Sequence, residues 1–131
     1  MGKMANLASR NILALFFIAP LSQITGLAAA DIAGPTKVID GDTIVIHSVK
    51  IRLHGIDAPE RAQVCKANGK HYRCGASVTL ALAKRIGGQP VSCEKRDQDQ
   101  YGRIVAVCRT GGTDLNGWLV SEGLALAYRR Y

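Results

Sequence analysis

Five residues stand out in this chain by type and spacing: Asp42, Arg52, Asp57 and Glu60 within one short stretch, and Arg103 at the end of Asp99-Gln100-Tyr101-Gly102-Arg103. Two carboxylates suit a hard cation, a third can move a proton, and two guanidinium groups can fork onto phosphate oxygens. Together they are the parts needed to hydrolyse a phosphodiester.

Such a set works only if rigid elements hold it. Val38 to Ile39, Thr43 to His47 and Lys50 to Leu53 are rich in β-branched residues and are broken at Asp40-Gly41 and His47-Ser48, which predicts three meandering strands. Asp42 opens the second strand and Asp57 leaves the third, so antiparallel pairing brings both to one end of the sheet. Strand alternation buries Ile51 and Leu53 and turns Arg52 to the opposite face, which His54 shares. Glu60 follows Pro59, whose fixed φ limits where the carboxylate can point. Gly102 permits a turn that aims Arg103 inward. Tyr101 and Tyr128 are candidates to bond a phosphate or stack on a sugar or base. The alternatives are turn and cap roles for the aspartates and a loop salt bridge for Glu60. Trp118 reads as core, and no histidine is given a catalytic role.

The remainder predicts a loop over residues 57–73, a helix from Gly75 to Ile86 closed by Gly87-Gly88, and a hairpin of Val91 to Lys95 with Ile104 to Arg109. A short helix follows from Asp114 to Glu122, with Asp114 as N-cap and Gly123 as its stop. This is an α+β domain, and a five-stranded barrel of the OB type is an economical way to hide sheet edges at this size.

The chain has 131 residues, room for one domain. Lys3 and Arg10, the apolar run Ile12 to Pro20 and Ala28-Ala29-Ala30 read as a signal peptide over residues 1–30, with the mature domain over residues 31–131. Of the 17 basic residues, Lys3 and Arg10 fall in the leader, leaving 15 against 10 acids, a net +5 for the mature part. That balance suits a polyanion. Export makes disulfides the natural use of the four cysteines. The second hairpin sets Cys93 opposite Cys108, which leaves Cys65 with Cys74; zinc is the alternative use.

The blocks V-I-D-G-D-T, I-R-L-x-G-I-D-A-P-E, D-Q-Y-G-R and L-N-G-W-L-V-S-E-G-L-A, in this order, resemble the staphylococcal nuclease family over essentially the whole mature chain. The resemblance implies an OB-fold barrel with packed helices, and Ca²⁺ held by the side chains of Asp42 and Asp57 and the carbonyl of Ala58. Ala58 stands where the best-known member has threonine; a carbonyl ligand survives that change. It further implies that Glu60 activates a water that attacks phosphorus, that Arg52 and Arg103 grip the phosphate, and that 3′-phosphate ends result. DNA and RNA, preferably single-stranded, are then the expected substrates of a monomeric secreted or periplasmic enzyme with no stable membrane association. Relatives of this type continue beyond the equivalent of Tyr131 into a further helix, so the resemblance also implies a missing C-terminal helix and a weakly stable domain. The rival class is a non-catalytic OB-fold nucleic-acid-binding module, which has no need of all five charged residues together.

Overall fold

The β-branched runs take extended backbone and pair as their alternation requires. The computed structural model describes residues 32–129; the leader expected over residues 1–30 lies outside the described residues. The first four strands are β1 (Ile32–Gly34), β2 (Thr36–Asp40), β3 (Thr43–Ile46) and β4 (Val49–Leu53), followed by the short β5 (Ile56–Asp57). A small hairpin of β6 (Cys65–Ala67) and β7 (Lys70–Tyr72) leads into helix α1 (Cys74–Ile86). Then come β8 (Val91–Gln98), β9 (Ile104–Thr110), β10 (Thr113–Asp114), α2 (Leu115–Ser121) and β11 (Leu126–Ala127).

The main sheet runs β1-β8-β9-β4-β3-β2, with β10 added beside β9. The β2-β3-β4 meander is antiparallel, while β4 meets β9 in parallel, with Arg52 beside Val105. The result is an α+β domain of OB-like form. Among the described residues β1 and β2 remain the two outer strands, so the ladder does not close.

Ile44, Ile46, Ile51 and Leu53 from the meander, Val78, Leu82 and Ile86 from one stripe of α1, and Leu115 and Leu119 from α2 form one buried core. Each large aliphatic so buried contributes about 1.5–3 kcal/mol. Gly87 ends α1 in the left-handed conformation, and Asp114 caps α2 by accepting from the Gly117 amide. Cys93 pairs in register with Cys108 and is bonded to it, and Cys65 is bonded to Cys74.

Several local expectations change. His47 and Ser48 have φ of 49° and 65°, so His47 belongs to the β3-β4 turn rather than to the strand. Residues 57–73 are not one loop, because Asn68-Gly69 turns β6 back on β7. Trp118 is only half-buried, with the Arg85 guanidinium 5.7 Å from its ring centre.

Where β4 ends, the buried side chain of Asn116 takes over the ladder. Its Oδ1 accepts from the Cys108 amide at 3.1 Å, and its Nδ2 donates to the carbonyls of His54 at 2.8 Å and Ala106 at 3.1 Å. Asn116→Ala strands the Cys108 amide in the core and removes three bonds, which predicts a loss of about 2–4 kcal/mol. Urea unfolding with the disulfides intact measures it; an unchanged midpoint would mean that Asn116 carries no such weight.

Candidate active site

The meander delivers the first three charged residues to one place. The backbone amide of Leu53 donates to the Asp42 carbonyl at 2.8 Å, tying the start of β3 to the end of β4. Arg52 lies between Ile51 and Leu53, both fully buried, and its own side chain is turned to the far side of the strand, 22% exposed. There its Nη2 sits 3.5 Å from Asp42 Oδ2 and 3.6 Å from Asp57 Oδ1. Asp42 is nearly buried and is held further by the Thr43 hydroxyl at 3.0 Å and the Ala58 amide at 3.4 Å. Asp57 is exposed, so one side of the pair stays open to water.

The second arginine reaches the same place from the β8-β9 turn. Gly102 has φ of 77°, a left-handed backbone that glycine adopts at no steric cost, and the turn folds back so that Asp99 Oδ1 accepts the amides of Tyr101 and Arg103. Asp99 Oδ2 takes Arg103 Nε at 2.6 Å. Among the described residues the two Nη groups of Arg103 have no partner. Burial pushes the Asp99 carboxyl up, but the Arg103 side chain and the amides of Arg103 and Tyr101 outweigh it and hold its pKa below the ordinary 3.8. A depressed carboxylate contributes stability that is present above its ordinary pKa and lost as pH falls through the lowered one. The Asp99–Arg103 pair therefore loosens only in acid below about 3.8.

A pocket of about 380 Å³ lies between these two groups, lined by Arg52, Asp57, Asp99, Tyr101, Arg103 and Tyr128 among others. His54 and Asp97 also line it. Tyr101 is 75% exposed and Tyr128 49% exposed, and the Arg103 guanidinium lies 5.6 Å from the Tyr101 ring centre. Tyr128 is held beside the site because its amide donates to the Gly55 carbonyl at 2.7 Å, next to the β5-β11 pairing.

Glu60 stands apart. It is exposed and is not part of this pocket wall. Its backbone, however, is fixed. Its amide donates to Gln63 Oε1 at 3.2 Å, its carbonyl accepts the Gln63 amide at 2.8 Å, and the Arg61 amide donates to Asp40 Oδ1 at 2.8 Å. Gly75, in the first turn of α1, packs directly on the Glu60 carbonyl; any Cβ there would overlap it. The carboxylate thus hangs on an anchored backbone, and among the described residues it is in no ion pair.

The donors suit a hard divalent cation. Asp42 and Asp57 converge on the one Arg52 nitrogen, and both offer oxygen. Among the described residues no three His, Cys, Asp or Glu side chains gather at a point, so a cation held by Asp42 and Asp57 would need carbonyl and water oxygens to complete its shell, a set that a hard oxygen-ligated ion accepts. Charge argues the same way. Among the lining residues Asp57, Asp97 and Asp99 against Arg52 and Arg103 leave a formal −1, and Asp42 beside Arg52 adds one more, a balance that a bound cation would offset. Asp97 and Asp99 are absent from the residues singled out by sequence; the i, i+4 spacing of Asp99 to Arg103 across a glycine turn was the available signal.

The family model described as staphylococcal nuclease homologue matches residues 50–131. The chain is 44% identical over 102 residues to the succinoglycan biosynthesis protein ExoI of Rhizobium meliloti, covering 76% of this chain and 53% of that protein. It is 32% identical to a micrococcal nuclease of Shigella flexneri, with 79% of this chain and 63% of that one covered. Against a thermonuclease of Staphylococcus hyicus the identity is 33%, with coverages of 70% and 56%. The chain therefore spans between about half and two thirds of the length of these curated relatives.

Proposed function

This chain belongs to the staphylococcal nuclease family, and from that premise we propose that it is a calcium-dependent phosphodiesterase that cuts DNA and RNA with little base specificity. The observation that carries the reading is the meeting of Arg52, Asp57 and Arg103 around one pocket with two exposed tyrosines, with Asp42 paired to Arg52 behind it. Asp42, Asp57 and the carbonyl of Ala58 would hold Ca²⁺, which when bound polarises a phosphoryl oxygen and offsets the charge that builds up on it.

The chain's own groups do the rest. Glu60 takes a proton from the attacking water as the new phosphorus–oxygen bond forms, the bond to the 5′-oxygen breaks, and the departing 5′-oxygen takes a proton from solvent water, leaving a 3′-phosphate and a 5′-hydroxyl. Arg103, its Nε engaged by Asp99, presents its Nη groups to the phosphate, and Arg52 supplies a second fork from the strand. Tyr101 and Tyr128 offer faces for a sugar or an unpaired base, which favours single-stranded or frayed substrate.

Processing of the leader and release to the periplasm or the exterior as a monomer, free of the membrane, complete the proposal. The two disulfides support an oxidising compartment. End-group analysis of a single strand incubated with the protein and Ca²⁺ tests the chemistry: 3′-phosphate and 5′-hydroxyl termini are expected from both DNA and RNA. Tight binding without cleavage would instead establish the non-catalytic OB-type module.

A further inference from the structure

The β6-β7 hairpin plays no part in the pocket, yet its composition is one-sided. Residues 61–73, RAQVCKANGKHYR, contain Arg61, Lys66, Lys70, His71 and Arg73 and no acid. Lys66, Lys70, His71, Tyr72 and Arg73 are all exposed, and among the described residues none of these basic groups is in an ion pair. Lys66 faces His71 directly across the strands, a juxtaposition of basic groups that gains nothing for the hairpin itself.

The arm is also rigid at its root. The Cys65–Cys74 disulfide joins it to α1, and the Gly75 amide donates to the Gln63 carbonyl at 3.2 Å, while Gln63 in turn is bonded to the backbone of Glu60. Strands of three residues extend roughly 10 Å at ~3.3 Å per residue, enough to pass more than one phosphate of a strand. A stapled, acid-free projection with an exposed tyrosine, rooted beside the proposed base, has the chemistry of a backbone track for a polynucleotide.

We infer that the β6-β7 arm is a second nucleic-acid contact, in which Lys66, Lys70 and Arg73 hold phosphates of the strand outside the pocket. It rests on the nuclease reading and adds to it that affinity for a long strand exceeds affinity for one nucleotide. The test is binding, in EDTA so that no cutting occurs, of the oxidised full chain to a labelled single strand of about 16 nucleotides, the upper site size of an OB barrel. Binding is followed across salt concentration, with thymidine 3′,5′-bisphosphate as the short probe and Ca²⁺ restored for that arm.

In K66A/K70A/R73A the slope of log K against log salt should fall by about 2, at ~0.7 for each phosphate no longer neutralised, with bisphosphate binding unchanged. The control K50A/K84A/K95A removes the same charge from exposed sites elsewhere and should move the slope far less. Wild-type slope in the arm variant, or an equal fall in the control, would overturn the inference while leaving the nuclease reading in place. Wild-type protein that binds neither probe would overturn both. Thermal unfolding of each variant identifies any change that comes from the fold, and K66Q/K70Q/R73Q then repeats the measurement with side-chain length kept.

Discussion

Arg103→Lys should lower turnover by ~10²-fold or more although the charge is kept. The reason lies in how the side chain is used. Nε is committed to Asp99 at 2.6 Å, which orients the plane of the guanidinium and leaves both Nη groups for the phosphate. A lysine ammonium cannot satisfy Asp99 and fork onto two oxygens at once. Substrate affinity should change less than turnover, because the second contact strengthens as charge builds up in the transition state. Single-turnover cleavage with saturating protein separates the two. A variant within a few-fold of the parent would reduce Arg103 to a surface charge anchored by its neighbour.

Glu60→Gln should lower turnover by ~10²-fold or more while calcium and nucleotide binding persist, the usual range for loss of a general base. Glu60 is exposed and outside the pocket wall, so nothing in its packing demands a carboxylate, and the substitution should leave stability unchanged. Its anchored backbone gives the side chain a fixed origin. The bonds to Gln63, the Arg61–Asp40 contact and the close approach of Gly75 fix the point on the backbone from which the side chain extends. If binding is lost and turnover per bound substrate is kept, Glu60 is a ligand and the base must be sought elsewhere.

The OB-like scaffold was legible because each of its signals is local: β-branched runs broken by D-G and H-S turns, one amphipathic helix closed by Gly87, and Asp114 ahead of α2. Arg52 was legible for the same reason, since alternation with Ile51 and Leu53 decides its face. The pairing of Cys93 with Cys108 followed from hairpin register. What was not legible depends on contacts between distant segments. The Asn116 plug joins residues 62 apart in sequence, and no spacing rule reports it. The open ladder between β1 and β2 depends on how the two ends of the sheet meet, which no local run reports. The β6-β7 hairpin was readable, through Asn68-Gly69, but its strands are three residues long and polar, so alternation gave no signal. The position of Glu60 outside the pocket reflects backbone bonds to Gln63 and Asp40 that flank it, and sequence shows only that a proline precedes it.

The central claim is that this site hydrolyses phosphodiesters with calcium offsetting its excess of carboxylates. Cleavage of plasmid DNA and of RNA by the oxidised chain should therefore be measured in Ca²⁺, in Mg²⁺ and in excess EDTA. Rapid cutting of both in Ca²⁺, poor cutting in Mg²⁺, whose tight octahedral shell two carboxylates do not provide, and none in EDTA is the predicted result. Full activity in EDTA would contradict it.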